Sequence, residues 1–305
     1  MAKSCRYSDI VNIVISVVLL VLGFYFGQYL GHLTGYERTR PIQWTQQEEP
    51  VNGHLFNEVK VFCWVATHRA SHKTKTRAIS VTWGQQCNRI VFVSNATDDE
   101  LPIIVVNLNE SRKELWSKTR EAFTWAYNNV LDDYDWFLKA DDDTYMHMEN
   151  LRALLTEHSS DDAVAIGHQF KSQGDYPNYH SGGAGYVLSR ESVRRLVSEG
   201  FANVSACNKP HHSEDVFIGI CLRELNITVV DGADENGAYR FHVIALYDFL
   251  MNRVPDWMKT KSKTTVKESF ACCSPHFISM HYTTADQQFM VDYLTHHLKP
   301  YGVEH

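Results

Sequence analysis

The stretch Trp136-Phe-Leu-Lys-Ala-Asp-Asp-Asp-Thr-Tyr145 decides the reading of this 305-residue chain. Its first five residues form a largely apolar strand, and the next three are all carboxylates. Three like charges at a strand end repel one another, and the arrangement becomes favourable when a hard divalent cation supplies the opposing charge. A solvated acidic turn is the plain alternative. The aromatic strand in front favours a metal site, with Mg²⁺ or Mn²⁺ bridging the carboxylates to a nucleotide diphosphate, since such ions take one or two carboxylates plus substrate phosphates. A phosphatase with an Asp nucleophile also starts at a strand end, in the order Asp-x-Asp-x-Thr. Here Tyr145 stands where that order needs threonine, and Thr144 comes one place early.

On both sides of this stretch, short β-branched runs alternate with helical patterns. Val59–Val65, Ile90–Val93, Ile103–Leu108 and Asp135–Leu138 read as strands, with helical patterns at Thr76–Trp83 and Arg112–Val130. Further strand candidates are Ala163–Ile166, Ala184–Leu188, Ile227–Val230 and Phe277–His281. Helices are expected at Glu149–Glu157, Arg190–Gly200, Glu214–Leu225 and Thr284–Leu298. The alternation predicts an α/β domain on a mostly parallel sheet, with its chemistry at the carboxyl ends of the strands. No internal repeat or second composition boundary interrupts residues 58–305, which are expected to form one domain.

Ahead of it, Ile10 to Leu30 carries no formal charge and spans roughly 31 Å as a helix, enough for a bilayer core. No cleavage site follows, so 10–31 reads as an uncleaved anchor and 32–57 as a polar stem. Lys3 and Arg6, opposed by Asp9, put the tail 1–9 in the cytosol and the domain on the luminal side. Gly23, Gly27 and Gly31 share one helix face, which suits a homodimer as well as ordinary glycine use in membrane helices. Four glycosylation tripeptides begin at Asn95, Asn109, Asn203 and Asn226, the last expected to be too buried to be modified. The net charge of −7, with 29 Lys+Arg against 36 Asp+Glu, argues against nucleic acid as a partner. Of the seven cysteines, Cys5 falls on the cytosolic side, and the other six on the side where disulfides persist.

Several strings then fall into one order. Lys139-Ala-Asp-Asp-Asp-Thr-Tyr145, Ser181-Gly-Gly-Ala-Gly-Tyr-Val-Leu-Ser189 and Ser213-Glu-Asp215 join Cys63-Trp-Val65, Thr82-Trp83, Cys87-Asn88, Cys272-Cys273 and Leu298-Lys-Pro-Tyr-Gly302. Together, from Val59 to Gly302, they resemble the core 1 β1,3-galactosyltransferase family of β1,3-glycosyltransferases. The resemblance implies a type II Golgi membrane protein with a GT-A fold. It also implies Mn²⁺ as cofactor, UDP-galactose as donor, and a glycoprotein bearing O-linked GalNAc as acceptor.

The resemblance assigns residues as well. Asp143 and His281 become metal ligands, and Asp141 faces the nucleotide or the metal's waters. Asp215 becomes the general base. Glu110, Arg112 and Lys118 become contacts to UDP, Tyr282 lies near the nucleotide, and Gly183 lies in a turn lining the sugar and acceptor site. The pairings Cys63–Cys87, Cys207–Cys221 and Cys272–Cys273 follow from the same family pattern. Residue type alone leaves plainer readings open. His281 is one of 16 histidines, and Glu110, Arg112 and Lys118 suit a solvated helical face. Ser213-Glu-Asp215 suits an ordinary helix start, with Ser213 as cap and carboxylates favoured by the helix dipole, which would also keep Asp215 ionised as a base must be.

One segment departs from the family. Before Cys272 the relatives carry a dense aromatic stretch, whereas Asp256-Trp-Met-Lys-Thr-Lys-Ser-Lys-Thr-Thr265 keeps only Trp257 and, with Lys267 just beyond, brings in lysines at 259, 261, 263 and 267. Trp257 serves either as a sugar platform or as packing. A non-catalytic, chaperone-like relative, or a transferase with another UDP-sugar or acceptor, are the competing functions; the retained triplet, His281 and Asp215 favour an enzyme.

Overall fold

The computed structural model describes residues 53–302 apart from 173, 175 and 210–212. The expected tail and anchor, most of the stem, and the glycine face lie outside the described residues. Among the described residues no helix is long and apolar enough to cross a membrane.

The strands are β1 (Val61–Ala66), β2 (Arg89–Ser94), β3 (Ile103–Val105), β4 (Trp136–Asp141), β5 (Tyr145–Met146), β6 (Val164–Gly167), β7 (Gln169–Phe170), β8 (Tyr179–His180), β9 (Tyr186–Ser189), β10 (Thr228–Asp231), β11 (Phe241–His242) and β12 (Ser279–Met280). The α-helices are α1 (Arg77–Val81), α2 (Leu115–Val130), α3 (Met148–Leu155), α4 (Arg190–Arg195), α5 (Glu214–Glu224), α6 (Leu246–Leu250), α7 (Asp256–Lys261) and α8 (Ala285–His296). Seven strands make the main sheet in the order β10-β6-β9-β4-β1-β2-β3. Only β9 runs against its neighbours, β4 and β6; the other pairs are parallel.

The sheet is covered on both faces, which is why β1 and β4 are nearly continuous apolar runs. Alternate residues of β1 serve opposite layers: Val61, Cys63 and Val65 pack with Leu138 and Met146, while Phe62 and Trp64 pack with Phe123 and Phe137. The register pairs Ala66 of β1 with Asp141 of β4, so the acidic triplet leaves the sheet at its carboxyl edge.

Several expected elements are shorter or divided. The helix over 76–83 is a π turn (His72–Thr76), α1 and a 3-10 turn (Trp83–Gln86). The helix over 190–200 gives way to a π turn at Leu196–Phe201. Phe277–His281 is a strand only at Ser279–Met280, because its partners among the described residues are the two-residue strands β5 and β11. That three-stranded sheet brings the chain around residue 280 beside the triplet. All three expected disulfides form: Cys63–Cys87, Cys207–Cys221 and the vicinal Cys272–Cys273. Asn226 corrects its expectation: it is exposed, because it turns the chain from α5 into β10 at a left-handed φ of 52°.

Candidate active site

The strand end of β4 and the residue after β12 meet at three side chains. Ligand atoms of Asp141, Asp143 and His281 all lie within 4.8 Å of one another. His281 Nδ1 is 2.9 Å from the carbonyl oxygen of Val243. A carbonyl only accepts, so Nδ1 carries a proton, and Nε2 faces Asp143 Oδ1 at 3.3 Å, where a bound cation would take its lone pair. Two carboxylates and a neutral imidazole suit a Mn²⁺-type cation. Burial alone would raise the Asp143 carboxyl, but His281 and Lys75, the latter 3.2 Å away, hold it at about 2.

The middle carboxylate is not part of this group. Asp142 is buried and accepts a 2.8 Å hydrogen bond from Thr67 Oγ1, while burial raises its carboxyl above the usual range. The triplet therefore divides into two outward carboxylates and one structural one.

The turn Ser181–Gly185 is held from below. Lys139 Nζ donates to the Gly182 carbonyl at 3.0 Å, Thr144 Oγ1 to that of Gly183 at 2.7 Å, and Ser279 Oγ to that of Ala184 at 2.6 Å. A β-carbon on Gly183 would overlap the His281 ring. Gly185 takes a φ of 79°, a left-handed value that glycine adopts without strain.

Beneath the turn lies a buried charged cluster. Lys139 Nζ is 2.6 Å from Asp141 and 3.9 Å from Glu214, and Tyr186 donates to Glu214 at 2.6 Å. Burial works against the Lys139 ammonium, yet Asp141 and Glu214 raise its pKa; burial raises the Glu214 carboxyl. Asp215 follows in the first turn of α5. Ser213 makes no side-chain cap on that helix; Asp215 itself accepts from the Val216 N–H at 2.9 Å. Desolvation at Asp215 outweighs the backbone hydrogen bond and the Lys139 charge, so its pKa rises above the usual carboxylate value.

Two cavities share this region. The first, about 300 Å³, is lined by Arg112, Lys118, Lys139, Asp141, Gly183 and Asp215 among others. The second, about 250 Å³, is lined by Phe170, Tyr179, Trp257, Lys261, His281 and Tyr282, and again by Gly183 and Asp215. Lys118 is buried rather than on a solvated face, donating to the Thr67 carbonyl at 2.8 Å and to Glu110 at 2.9 Å. Arg112 is exposed at the first cavity. Tyr282 lines the second cavity; it stacks on His281 with centroids 3.9 Å apart and has a φ of 59°. Trp257 lies open on the second cavity, 6.1 Å from the Phe170 ring, and so is not core packing. Sequence reading missed Lys75, Phe170 and Tyr179, and gave Lys139 and Glu214 no role of their own. Lys139 alone carried a signal, a charged residue inside an apolar strand.

The Fringe-like family model matches residues 56–234, which contain the triplet, the glycine turn and Asp215. Glycoprotein-N-acetylgalactosamine 3-beta-galactosyltransferase 1 of Xenopus laevis is 34% identical over 266 residues, covering 85% of this chain and 72% of that protein. A human beta-1,3-glucosyltransferase is 28% identical over 172 residues, covering 55% of this chain and 34% of its own length. Of these two relatives, the one matched over the greater part of both chains is the galactosyltransferase. With a two-carboxylate, one-imidazole site set at the edge of an α/β sheet, the chain is a glycosyltransferase that belongs to the Fringe-like family and, within it, to the core 1 β1,3-galactosyltransferase family.

Proposed function

We propose that this protein transfers galactose from UDP-galactose to the 3-hydroxyl of O-linked GalNAc on glycoproteins, with inversion at the sugar carbon. The observation that carries this reading is the position of Asp215 on the seam between the two cavities. A base at such a seam takes the proton of an acceptor hydroxyl in one cavity as that oxygen attacks a sugar held in the other, and no covalent enzyme intermediate is needed. The cations of the first cavity suit the nucleotide diphosphate: Arg112 is free to approach it, and Glu110 fixes the direction of Lys118. The aromatic lining of the second suits the apolar face of a sugar, with Trp257 and Tyr282 as platforms.

Asp143 and His281 would hold Mn²⁺, with Asp141 beside it, and the bound ion would supply Lewis-acid stabilisation of the departing diphosphate. Lys139 keeps Asp141 aimed at that site through its 2.6 Å contact. We extend the proposal to placement: a type II Golgi membrane protein anchored through residues 10–31, dimeric, with its domain in the lumen.

Incubating the detergent-solubilised full chain with UDP-galactose, Mn²⁺ and a GalNAc-O-peptide should yield a β1,3-linked disaccharide on the peptide, lost on chelation. Transfer from a different UDP-sugar, or hydrolysis without transfer, would reassign donor or acceptor. A cellular function that survives Asp143→Ala would point instead to a non-catalytic role.

A further inference from the structure

The second cavity carries a charge that transfer to a neutral sugar leaves unused. Besides its rings it is lined by Lys261, the lone Lys or Arg among its described lining residues, and by Asp215, the lone carboxylate. Trp257 and Lys261 lie one turn apart on α7, which puts ring and ammonium stem on the same helix face. Past Lys261 the chain runs antiparallel to 169–171. The Lys171 N–H donates to the Lys261 carbonyl at 2.7 Å, the Lys263 N–H to that of Gln169 at 2.8 Å, and Phe170 bridges Ser262 between them.

That register sets Lys171 directly opposite Lys261. Among the described residues neither lysine makes an ion pair, whereas nearby Lys259 is taken up by Glu268 at 3.0 Å. Lys261 thus stands at the acceptor side without an ion-pair partner among the described residues, on a chain whose overall charge of −7 would repel an anion.

We infer that Lys261 forms an anion contact in the second cavity and that the acceptor presents a negatively charged group beside the hydroxyl it offers to Asp215. The inference rests on the second cavity being the acceptor side, as proposed above. The anion is a carboxylate or sulfate, from an acidic residue flanking the glycosylated position or from a substituent on the sugar itself.

The test is a binding measurement, which does not depend on turnover. The full chain, with UDP and Mn²⁺, is titrated with three GalNAc-O-peptides: a neutral one, one with Asp beside the glycosylated residue, and a neutral one sulfated on the GalNAc. At least one acidic probe should bind about five-fold tighter than the neutral one, the size expected of partly exposed charge pairs. Which probe gains identifies the source of the anion. The preference should vanish at about 1 M salt, where the screening length falls to roughly 3 Å. It should also vanish in folded Lys261→Gln and persist in Lys259→Gln. Equal binding of all three probes, binding of none, or a preference that survives Lys261→Gln overturns the inference without touching galactose transfer. Lysine-dependent binding of an acidic probe with no transfer of galactose would instead overturn the proposed reaction and leave the subsite standing.

Discussion

Gly183 packs so closely on the imidazole of His281 that a β-carbon at that position would overlap the ring. The ring is held from its other sides by the Val243 carbonyl and by stacking on Tyr282. Glycine here decides where Nε2 points, and hence whether it reaches the same ion as Asp143. Gly183→Ala should therefore weaken Mn²⁺ binding by about 10–100-fold, as losses of orienting contacts around metal ligands do. Metal titration of the folded variant checks this; unchanged affinity would show that the ring can move without cost.

Removing the base should separate chemistry from binding. Asp215→Asn is expected to lower kcat by about 10²–10⁴ while leaving UDP affinity near that of the parent. Because burial raises the Asp215 carboxyl, and the base must be deprotonated to act, the acid limb of the parent's kcat/KM profile should lie above the ordinary Asp value of about 3.9. A limb at or below that value would mean that another group accepts the proton.

Lys139 is buried between Asp141 and Glu214, and among the described residues no other ammonium stands as close to both. Lys139→Met leaves those carboxylates without their cation, a kind of loss that costs about 3–5 kcal/mol. Adding Glu214→Gln to the same chain should recover part of it. Urea unfolding of the single and double variants measures the difference, and a double variant no more stable than the single one would remove Glu214 from the account.

Acid should destabilise the fold through its buried histidines. Burial lowers His168 to about 3 and His180 and His242 to about 4, against 6.5 for the exposed group. Below pH 6.5 the unfolded chain binds protons that the folded chain does not, so stability present above that pH is lost as pH falls toward 4. Each histidine adds a slope of up to about 1.4 kcal/mol per pH unit in this window. Urea midpoints between pH 7 and 4.5 should fall accordingly. A flat profile would mean that these side chains are protonated in the folded state or already shielded in the unfolded one.

The elements legible from sequence are those whose signal is local. β4 and its acidic end could be read because an apolar strand and three carboxylates are consecutive, and α5 because apolar periodicity follows Ser213-Glu-Asp215. The small sheet of β5, β11 and β12 could not, since a two-residue strand has no period to detect. Nor could the split within the triplet, where Asp142 turns to Thr67, 75 residues away. The lysines of the segment before Cys272 were visible as a change in composition, but not as an opposed pair, because Lys171 lies in a different part of the chain.

The sequence by itself determined the α/β alternation, the family to which the chain belongs, and the residue types available for metal and base chemistry. Tertiary structure decided which of them meet: Thr283 bonds to the Asp143 carbonyl across 140 residues, which draws His281 to the metal-site carboxylates, and α5 carries Asp215 to the boundary of both cavities. The physical reason is that periodicity and capping act over one or two turns of chain. The approach of distant strand ends is set by how the buried faces of the sheet pack.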